Sequence, residues 1–384
     1  MDAGGAARAL TIVHTEASTG WGGQEIRILT EASGLRRRGH DVSLLAAHGA
    51  RIVEEAARFD VPVTALPIGR KRPAGVRALA RALERLRPDI VNTHSSTDSW
   101  LTAIACRFLA RAQAPVLVRT RHVSVPVPRD LATRWLYRTA MTRTVTTGEA
   151  LREQLVRDNG LDPTRVDSVP TGIDAALYAQ GDKAQARAQL SLPLDVPLVT
   201  IVATLRSWKG HRYLVEAMLH LARKDARLVV VGDGPQRDAL VQQVATLDLA
   251  SRVVFAGQRN DVVPWLRASD VFALPSYANE GVPQALLQAM FASVPCVTTD
   301  AGAIPEIARD GDTATIVQRE NSLALAAGID ALLADPSRAA AQAARALSFV
   351  AGRYTLDAML DRMEAVFRKA LDDRARDAGR EAVR

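Results

Sequence analysis

Three charged side chains stand just after two apolar, strand-like segments in the second half of the chain. Arg206 and Lys209 follow residues 198–203, and Glu280 follows Val271–Leu274. Parallel sheets bind ligands at the carboxyl ends of their strands, where the following helices offer free N–H groups to phosphates. Two neighbouring cations can neutralise a diphosphate, and a carboxylate can accept hydrogen bonds from sugar hydroxyls. The spacing therefore predicts a pocket for a sugar joined to a diphosphate, against the alternative that the two cations are ordinary surface charges.

Two glycines and two histidines lie at the ends of strand-like segments in the first half of the chain. Gly22 and Gly23 stand in a turn after an apolar run, where the backbone can approach a ligand and the next helix directs its positive end at a phosphate. His94 and His122 each follow a strand-like run. A histidine at a strand end is more often structural than ligand-binding. An ordinary turn and two structural histidines therefore remain open alternatives.

The segment from Glu280 to Glu306 resembles the donor-site signature of the family-four glycosyltransferases, which are retaining enzymes with two Rossmann-like domains. The residues that match the family pattern are Glu280, Ala289, Met290, Pro295, Thr299, Asp300, Gly302, Pro305 and Glu306. Two positions depart from it. Gln288 stands where the family usually has a second Glu, and Ser293 stands where it has Gly before a small-Pro turn.

This resemblance implies roles for the catalytic candidates. The family's Arg and Lys at positions 206 and 209 hold the diphosphate, and its Glu at position 280 binds the hydroxyls of the donor sugar. The family also carries a His next to the reacting centre, and His122 takes that place. We expect His122 to contact the donor and to steady charge at the anomeric carbon. His94 matches a second, less specific His of the family.

The resemblance also implies a set of donor-binding residues. Their shared feature is contact with the diphosphate, the transferred sugar or the nucleoside. They are Gly22, Gly23, Arg206, Lys209, Gly281, Val282, Gln288 and Arg259. The family's second Glu binds the ribose hydroxyls, and Gln288 in its place keeps an acceptor oxygen but loses the charge. We therefore expect weaker or altered recognition of the nucleoside.

Strand-like and helix-like segments alternate along the chain, which predicts an α/β fold with parallel sheets. One series covers residues 10–147 and a second covers residues 198–298, with a Pro/Gly turn at residues 169–174 and a polar stretch to residue 191 as the connection. We predict two Rossmann-like domains. The resemblance implies that they face each other across a cleft, in the arrangement called GT-B.

The domain prediction follows from this alternation and from the resemblance. Residues 1–173 are expected to form an acceptor-binding domain, and residues 174–353 a domain that binds the nucleotide-sugar donor. An apolar stripe between residues 354 and 374 has helical spacing. By resemblance, this C-terminal helix should cross back to the first domain.

The predicted reaction moves a sugar from a nucleotide-diphosphate sugar to an acceptor hydroxyl, with retention at the anomeric carbon. No pair of carboxylates in a glycosidase pattern and no nucleophile elbow stand out, so the departing diphosphate is expected to take the acceptor's proton. No metal-ligand pattern is evident, and we predict no metal and no cofactor. Two rivals remain: a nucleotide-sugar 2-epimerase of similar architecture, and an inactive nucleotide-sugar-binding protein, which Gln288 suggests.

Charge and composition bear on the partners. The chain has 384 residues and a net charge of +7, and the first 173 residues hold the whole basic excess. Clusters at residues 36–38 and 70–72 fit peripheral contact with an anionic membrane, or else a solvated face. The basic runs lack interleaved aromatic residues, so nucleic acid is not expected. Two cysteines and the absence of a signal-like N-terminus or a long apolar run predict a cytoplasmic protein, with the inner face of the cell membrane as an alternative site.

The acceptor is inferred from resemblance and from charge. The GWGGQE opening and the TRH turn resemble those of bacterial glycosyltransferases that act on lipopolysaccharide or other surface polysaccharides. The basic first domain is compatible with an anionic, lipid-linked saccharide. We therefore expect a role in cell-surface polysaccharide biosynthesis, with a saccharide or a lipid-linked saccharide as acceptor.

Overall fold

The computed structural model describes residues 8–110, 113–123, 125–178 and 181–382. The chain divides into two compact units: unit 1 contains Met1–Pro170 and Leu356–Arg384, and unit 2 contains Thr171–Thr355. Each unit holds one sheet in which every pair of neighbouring strands is parallel. The predicted fold class, α/β with two Rossmann-like domains, is confirmed.

The sheet of unit 1 has the strand order β3-β2-β1-β4-β5-β6-β7. The strands are β1 (Thr11–Glu16), β2 (Asp41–Ala47), β3 (Val63–Leu66), β4 (Ile90–Thr93), β5 (Val116–Arg121), β6 (Arg143–Thr146) and β7 (Val166–Ser168). The helices between them are α1 (Gly23–Arg37), α2 (Arg51–Glu55), α3 (Pro73–Leu86), α4 (Ser96–Cys106), α5 (Leu131–Trp135) and α6 (Glu149–Asn159). The order reverses between β1 and β4, so a crevice opens there at the carboxyl ends of the strands.

The sheet of unit 2 has the order β10-β9-β8-β11-β12-β13. The strands are β8 (Leu198–Val202), β9 (Arg227–Val231), β10 (Val253–Gly257), β11 (Val271–Leu274), β12 (Cys296–Thr298) and β13 (Thr315–Ile316). The helices are α7 (Lys183–Gln189), α8 (His211–His220), α9 (Arg237–Thr246), α10 (Val263–Ala268), α11 (Gln284–Phe291), α12 (Ser322–Ala334) and α13 (Pro336–Ala351). Here the order reverses between β8 and β11, which places the crevice of unit 2 beside these two strands.

The last helix, α14 (Leu356–Ala382), belongs to unit 1, where it contacts α1 and β5. Its apolar stripe lies in the core of that unit, as predicted, although the helix continues eight residues beyond the predicted end at residue 374. Gly34 of α1 allows the close approach, because a Cβ there would collide with the side chain of Leu360. Arg38 also binds this helix, through ion pairs with the carboxylates of Asp357, Asp361 and Glu364. None of the described helices combines the length and apolar composition needed to cross a membrane.

The polar stretch at residues 174–191 is not a connecting segment, contrary to the sequence-based expectation. It contains α7, and the buried side chain of Arg187 ties that helix to unit 2. The Arg187 guanidinium donates to Asp270 Oδ2 at 2.5 Å and to the Ala268 carbonyl at 2.9 Å. The stretch therefore combines exposed polar residues with one buried, paired cation, and composition alone does not distinguish such a helix from a linker.

Ser293 lies at the end of α11 with a φ of 55°, in the left-handed region that favours glycine. The turn is closed by the Val294 N–H, which donates to the Ala289 carbonyl at 3.0 Å. The family pattern has Gly here, and the backbone explains why. Replacing Ser293 by Gly should raise the free energy of unfolding by about 1 kcal/mol, because an L-residue in this conformation is strained. Urea unfolding measures the change.

Ser293→Ala is the matched control for this prediction. Alanine removes the hydroxyl but keeps the Cβ, so the strain persists and the midpoint of unfolding should not rise. An equal gain from Ser293→Ala and Ser293→Gly would show that the hydroxyl, and not the backbone conformation, is responsible.

Candidate functional site

The charged residues predicted in unit 2 all follow strands at the point where the strand order reverses. The loop after β8 carries Arg206 and Lys209, and the loop after β11 carries Glu280. The two strands are neighbours, with Val199 paired to Val271. Their carboxyl ends therefore bring the two loops to one edge of the sheet, as the motif spacing predicts.

Lys209 and Glu280 form an ion pair at this edge. Lys209 Nζ donates to Glu280 Oε1 at 2.6 Å, and Glu280 is only 5% exposed. A buried carboxylate without a partner is strongly unfavourable, so Lys209 stabilises Glu280 in its place. Lys209 carries three N–H donors, and one of them occupies Glu280. The pair therefore leaves donor groups on the ammonium and acceptor lone pairs on the carboxylate for a ligand.

Two glycines allow the loops of this pair to lie against neighbouring backbone. Gly210 directly follows Lys209 with a φ of 75°, and a Cβ there would overlap the Pro275 carbonyl. Gly302 has a φ of 56°, and a Cβ there would overlap the backbone of Glu280. Both positions require glycine for conformation and for space. The loop of Lys209 and the loop of Glu280 are thus held by backbone contact, independently of their ion pair.

Arg206 and Arg259 lie on the surface of unit 2 and not within the ion pair. The Arg206 guanidinium stands 5.8 Å from the ring centroid of Trp208, and the Arg259 guanidinium 5.4 Å from that of Trp265. Within the described part of the chain, Arg206 makes no ion pair with a carboxylate. Its charge is therefore available to an anion, as the phosphate-binding role requires.

Gln288 lies on α11, and its side chain lies close to the hydroxyl of Tyr178. Burial raises the pKa of Tyr178, and the negative charge of Asp261 raises it further. The predicted ribose-binding side chain thus has a protein hydroxyl close to it in this structure. A neutral amide suits a site that already feels a carboxylate, whereas a Glu at position 288 would add a second negative charge.

The two predicted pairs of loop residues, Gly22 with Gly23 and Gly281 with Val282, differ in their surroundings. Gly281 and Val282 are buried in the loop just before α11. Gly22 precedes α1 and Gly23 is its first residue. The φ of Gly22 is −175°, an extended conformation that any residue can adopt, so the turn itself does not require glycine. The start of α1 remains the feature that suits an anion, because the first N–H groups of a helix have no intrahelical partner.

In unit 1 the two predicted histidines lie together, and a third joins them. His14 Nδ1 lies 2.9 Å from His94 Nε2, and His94 Nδ1 lies 3.0 Å from His122 Nε2. His14 and His94 are buried, and His122 is partly exposed at the end of the row. Burial lowers the pKa of His14 to about 3, and it lowers the pKa values of His94 and His122 well below their usual range. All three imidazoles are therefore neutral at physiological pH.

Two buried carboxyl groups, those of Glu16 and Asp98, lie near the carboxyl end of β1. Glu16 accepts hydrogen bonds from the Ser18 N–H at 2.6 Å and from the Gln24 amide at 2.5 Å. Burial, with a contribution from the nearby charge of Asp98, raises the pKa of Glu16 to about 8. Glu16 thus holds both ends of the glycine loop in which Gly22 and Gly23 lie.

Sequence reasoning missed His14 and Glu16. Both lie on β1, two residues apart, so they share one face of the strand. β1 borders the point where the strand order reverses, and β4, which leads to His94, is its neighbour. A search for polar side chains on the first strand would have found them, because buried strands of parallel sheets are usually apolar throughout.

Removing Lys209 tests the ion pair. Lys209→Met should lower the free energy of unfolding by about 3 kcal/mol, because it leaves Glu280 buried without a partner. The double variant Lys209→Met/Glu280→Gln should be more stable than Lys209→Met alone, since the uncompensated charge is gone. Urea unfolding of the unchanged protein, of Lys209→Met, of Glu280→Gln and of the double variant measures the coupling free energy between the two residues. Additive effects of the two substitutions would contradict the pairing.

The histidine row predicts a loss of stability in acid. The unfolded chain binds a proton at His14 near pH 6.5, whereas the folded protein does not until about pH 3. Acidification therefore favours unfolding across this window, by about 2 kcal/mol for each such imidazole between pH 6.5 and pH 5. Urea unfolding over this range should show a shallower loss for His14→Asn than for the unchanged protein. His48→Asn, at an exposed position, should keep the full slope, and equal slopes in all three proteins would refute the assignment.

Comparison with known proteins places these features in a family. Residues 21–177 match the family model "Glycosyltransferase Family 4", and residues 196–335 match "Glycosyl transferases group 1". A D-inositol 3-phosphate glycosyltransferase of Nocardia farcinica is 31% identical over 301 residues, which cover 72% of this chain and 66% of that protein. The chain thus spans slightly less than two thirds of that relative's length.

Solved structures show the same fold. HepE of Anabaena in complex with UDP-glucose has a TM-score of 0.83 at 21% identity, covering 94% of this chain and 100% of HepE. WaaG, a glycosyltransferase involved in lipopolysaccharide biosynthesis, has a TM-score of 0.68 at 17% identity, covering 94% of this chain and 98% of WaaG. Together with the two family matches, these similarities confirm the resemblance read from the donor-site signature. The chain belongs to the family-four glycosyltransferases and has the GT-B fold.

Proposed function

We propose that the protein transfers a sugar from a nucleotide-diphosphate sugar to an acceptor hydroxyl, with retention at the anomeric carbon and without a metal. The observation that carries this proposal is the Lys209–Glu280 ion pair beside Arg206, at the carboxyl ends of β8 and β11. That edge offers two cations for a diphosphate and a carboxylate for sugar hydroxyls. The UDP-glucose bound to HepE supports a donor of the same chemical class.

Catalysis would rest on stabilising the leaving group. The bond between the anomeric carbon and the diphosphate oxygen breaks, and the acceptor oxygen forms the new bond on the same face of the sugar. The acceptor's proton passes to the departing diphosphate, whose negative charge Arg206 and Lys209 stabilise. Lys209 can hold Glu280 with one N–H and a phosphate oxygen with another. Glu280 positions the transferred sugar through its hydroxyls.

His122 keeps its proposed contact with the donor sugar. Its Nε2 lies within hydrogen-bonding distance of His94 Nδ1, and His94 Nε2 lies within that distance of His14 Nδ1. These two contacts hold the ring of His122 in one orientation. A neutral imidazole presents one N–H and one lone pair, and the partner of one nitrogen sets the role of the other. His94 and His14 are therefore proposed as positioning residues, and His122 as the residue that touches the donor.

The proposed acceptor is a saccharide, free or lipid-linked, of a cell-surface polysaccharide such as lipopolysaccharide, reached from the cytoplasmic face of the membrane. The similarity to WaaG and the basic excess in the first 173 residues support it. An inositol phosphate is a second candidate acceptor, because the Nocardia relative is named for one. Incubating the purified protein with one donor and each candidate acceptor in turn distinguishes them.

Donor binding and turnover test the reaction. Among nucleoside diphosphates and their sugars, the cognate compound at about 100 times its dissociation constant should stabilise the fold by about 2.7 kcal/mol. Arg206→Ala should lower turnover at least about a hundredfold, because it removes a charge that acts on the leaving group, without loss of stability. Lys224→Ala, an exposed lysine of the same unit, is the control.

The products separate the alternatives. Nuclear magnetic resonance of the glycoside should show the anomeric configuration of the donor. A free epimerised sugar nucleotide would identify a 2-epimerase. Donor binding with no turnover, unchanged after Gln288→Glu, would identify an inactive binding protein. Unchanged turnover in Arg206→Ala would remove that residue from the leaving-group role.

A further inference from the structure

Unit 1 carries a groove between α3 and α4 that the sugar-transfer chemistry does not use. Its volume is about 680 Å³. Its walls are apolar and consist of Val76, Ala80, Trp100, Leu101, Ile104 and Phe108. Phe108 is 73% exposed and Ile104 is 38% exposed. A contiguous patch of large apolar side chains at a protein surface commonly marks a binding site.

Basic side chains surround this groove. Lys71, Arg72, Arg77 and Arg81 line it, and Arg70 is adjacent in sequence. Lys71 Nζ stands 5.3 Å from the ring centroid of Trp100, so its charge lies directly over the groove wall. Across the described residues of the chain, none of these five cations forms an ion pair with a carboxylate. Their charge is therefore not cancelled by the protein.

The other basic cluster of unit 1 behaves differently. Arg38 is paired with three carboxylates of α14, and Arg36 lies 3.6 Å from Asp60. That cluster stabilises the fold, and its charge is largely compensated. The two clusters look alike in sequence, since each is a run of three cations, but they differ in their ion pairing in the structure. Only the cluster at α3 combines uncompensated charge with exposed apolar surface.

We propose that this groove binds an anionic phospholipid of a membrane surface, with the lipid phosphate among the cations and part of an acyl chain against the apolar walls. A surface that joins apolar side chains to long basic ones suits the interface of an anionic bilayer, where each cation near the surface strengthens binding by a factor of about five. The stems of Arg77 and Arg81 can lie along the apolar wall while their guanidinium groups reach the phosphates. The proposal specifies the membrane contact proposed above and does not depend on sugar transfer.

Sedimentation with vesicles tests the charge requirement. The protein should bind vesicles of phosphatidylcholine with phosphatidylglycerol and not vesicles of phosphatidylcholine alone. Arg77→Glu/Arg81→Glu should weaken this binding at least about tenfold, given the contribution of each cation. Arg338→Glu/Arg362→Glu changes the net charge equally at exposed positions outside the groove and should leave binding unchanged. An equal loss in both double variants would show that only net charge matters, and it would overturn the proposal.

Fluorescence tests the apolar half. Lipids brominated on the acyl chain should quench tryptophan emission on binding, and Trp100→Phe should remove most of that quenching. Phe108→Ser should weaken vesicle binding without a change in the melting temperature, because Phe108 is largely exposed. Vesicle binding without quenching would refute insertion into the groove.

Two further results would overturn the proposal. Equal binding to neutral and anionic vesicles would remove the role of the cations. Self-association that Phe108→Ser abolishes, with no vesicle binding by the unchanged protein, would identify a second copy of the chain as the occupant. Transfer to a soluble acceptor does not enter these tests, so the proposed reaction and the proposed lipid site can fail separately.

Discussion

The candidate site of unit 2 depends on the ion pair between Lys209 and Glu280. A carboxylate that is 5% exposed requires a cation, and a cation that holds a carboxylate retains donor groups for a second anion. The same contact therefore stabilises the folded protein and leaves N–H donors for the phosphate of the proposed donor. Gly210 and Gly302 allow this contact, because the backbone of each passes where a Cβ would overlap a carbonyl. The donor-site signature thus encodes backbone contact as much as side-chain chemistry.

Unit 1 also buries polar side chains, but its buried histidines are neutral and satisfy one another by hydrogen bonds. Three imidazoles in a row, each within 3.0 Å of the next, satisfy most of one another's hydrogen-bonding capacity while neutral. Burial keeps their pKa values low, and only His122 reaches partly into solvent. Neutrality carries a cost in acid, where the unfolded chain is free to take up protons. Rigid placement of one exposed imidazole and acid sensitivity thus have the same origin.

Much of this could be predicted from sequence, and the limits have physical reasons. Alternating apolar segments indicated both sheets, and residues that follow strand ends indicated Lys209 and Glu280, because parallel strands end at a common edge. His14 escaped notice because it lies within a strand, whereas the sequence reasoning looked at residues that follow strand ends. The proximity of Gln288 to Tyr178 was not predictable, since the two residues are distant in sequence and no local pattern links them.

Charge illustrates the same limit at the protein surface. Residues 36–38 and 70–72 are each runs of three cations, and a count of charges assigns them equal weight. The first run faces α14, where Arg38 meets three carboxylates, whereas the second borders an apolar groove with no carboxylate paired to it among the described residues. A cation already paired with carboxylates attracts little further negative charge, and an unpaired one at an apolar surface attracts an amphiphile that brings both anion and hydrocarbon. Of these two runs, the one at residues 70–72 therefore carries the uncompensated charge, and it lies at the groove beside α3 and α4 where we propose the lipid site.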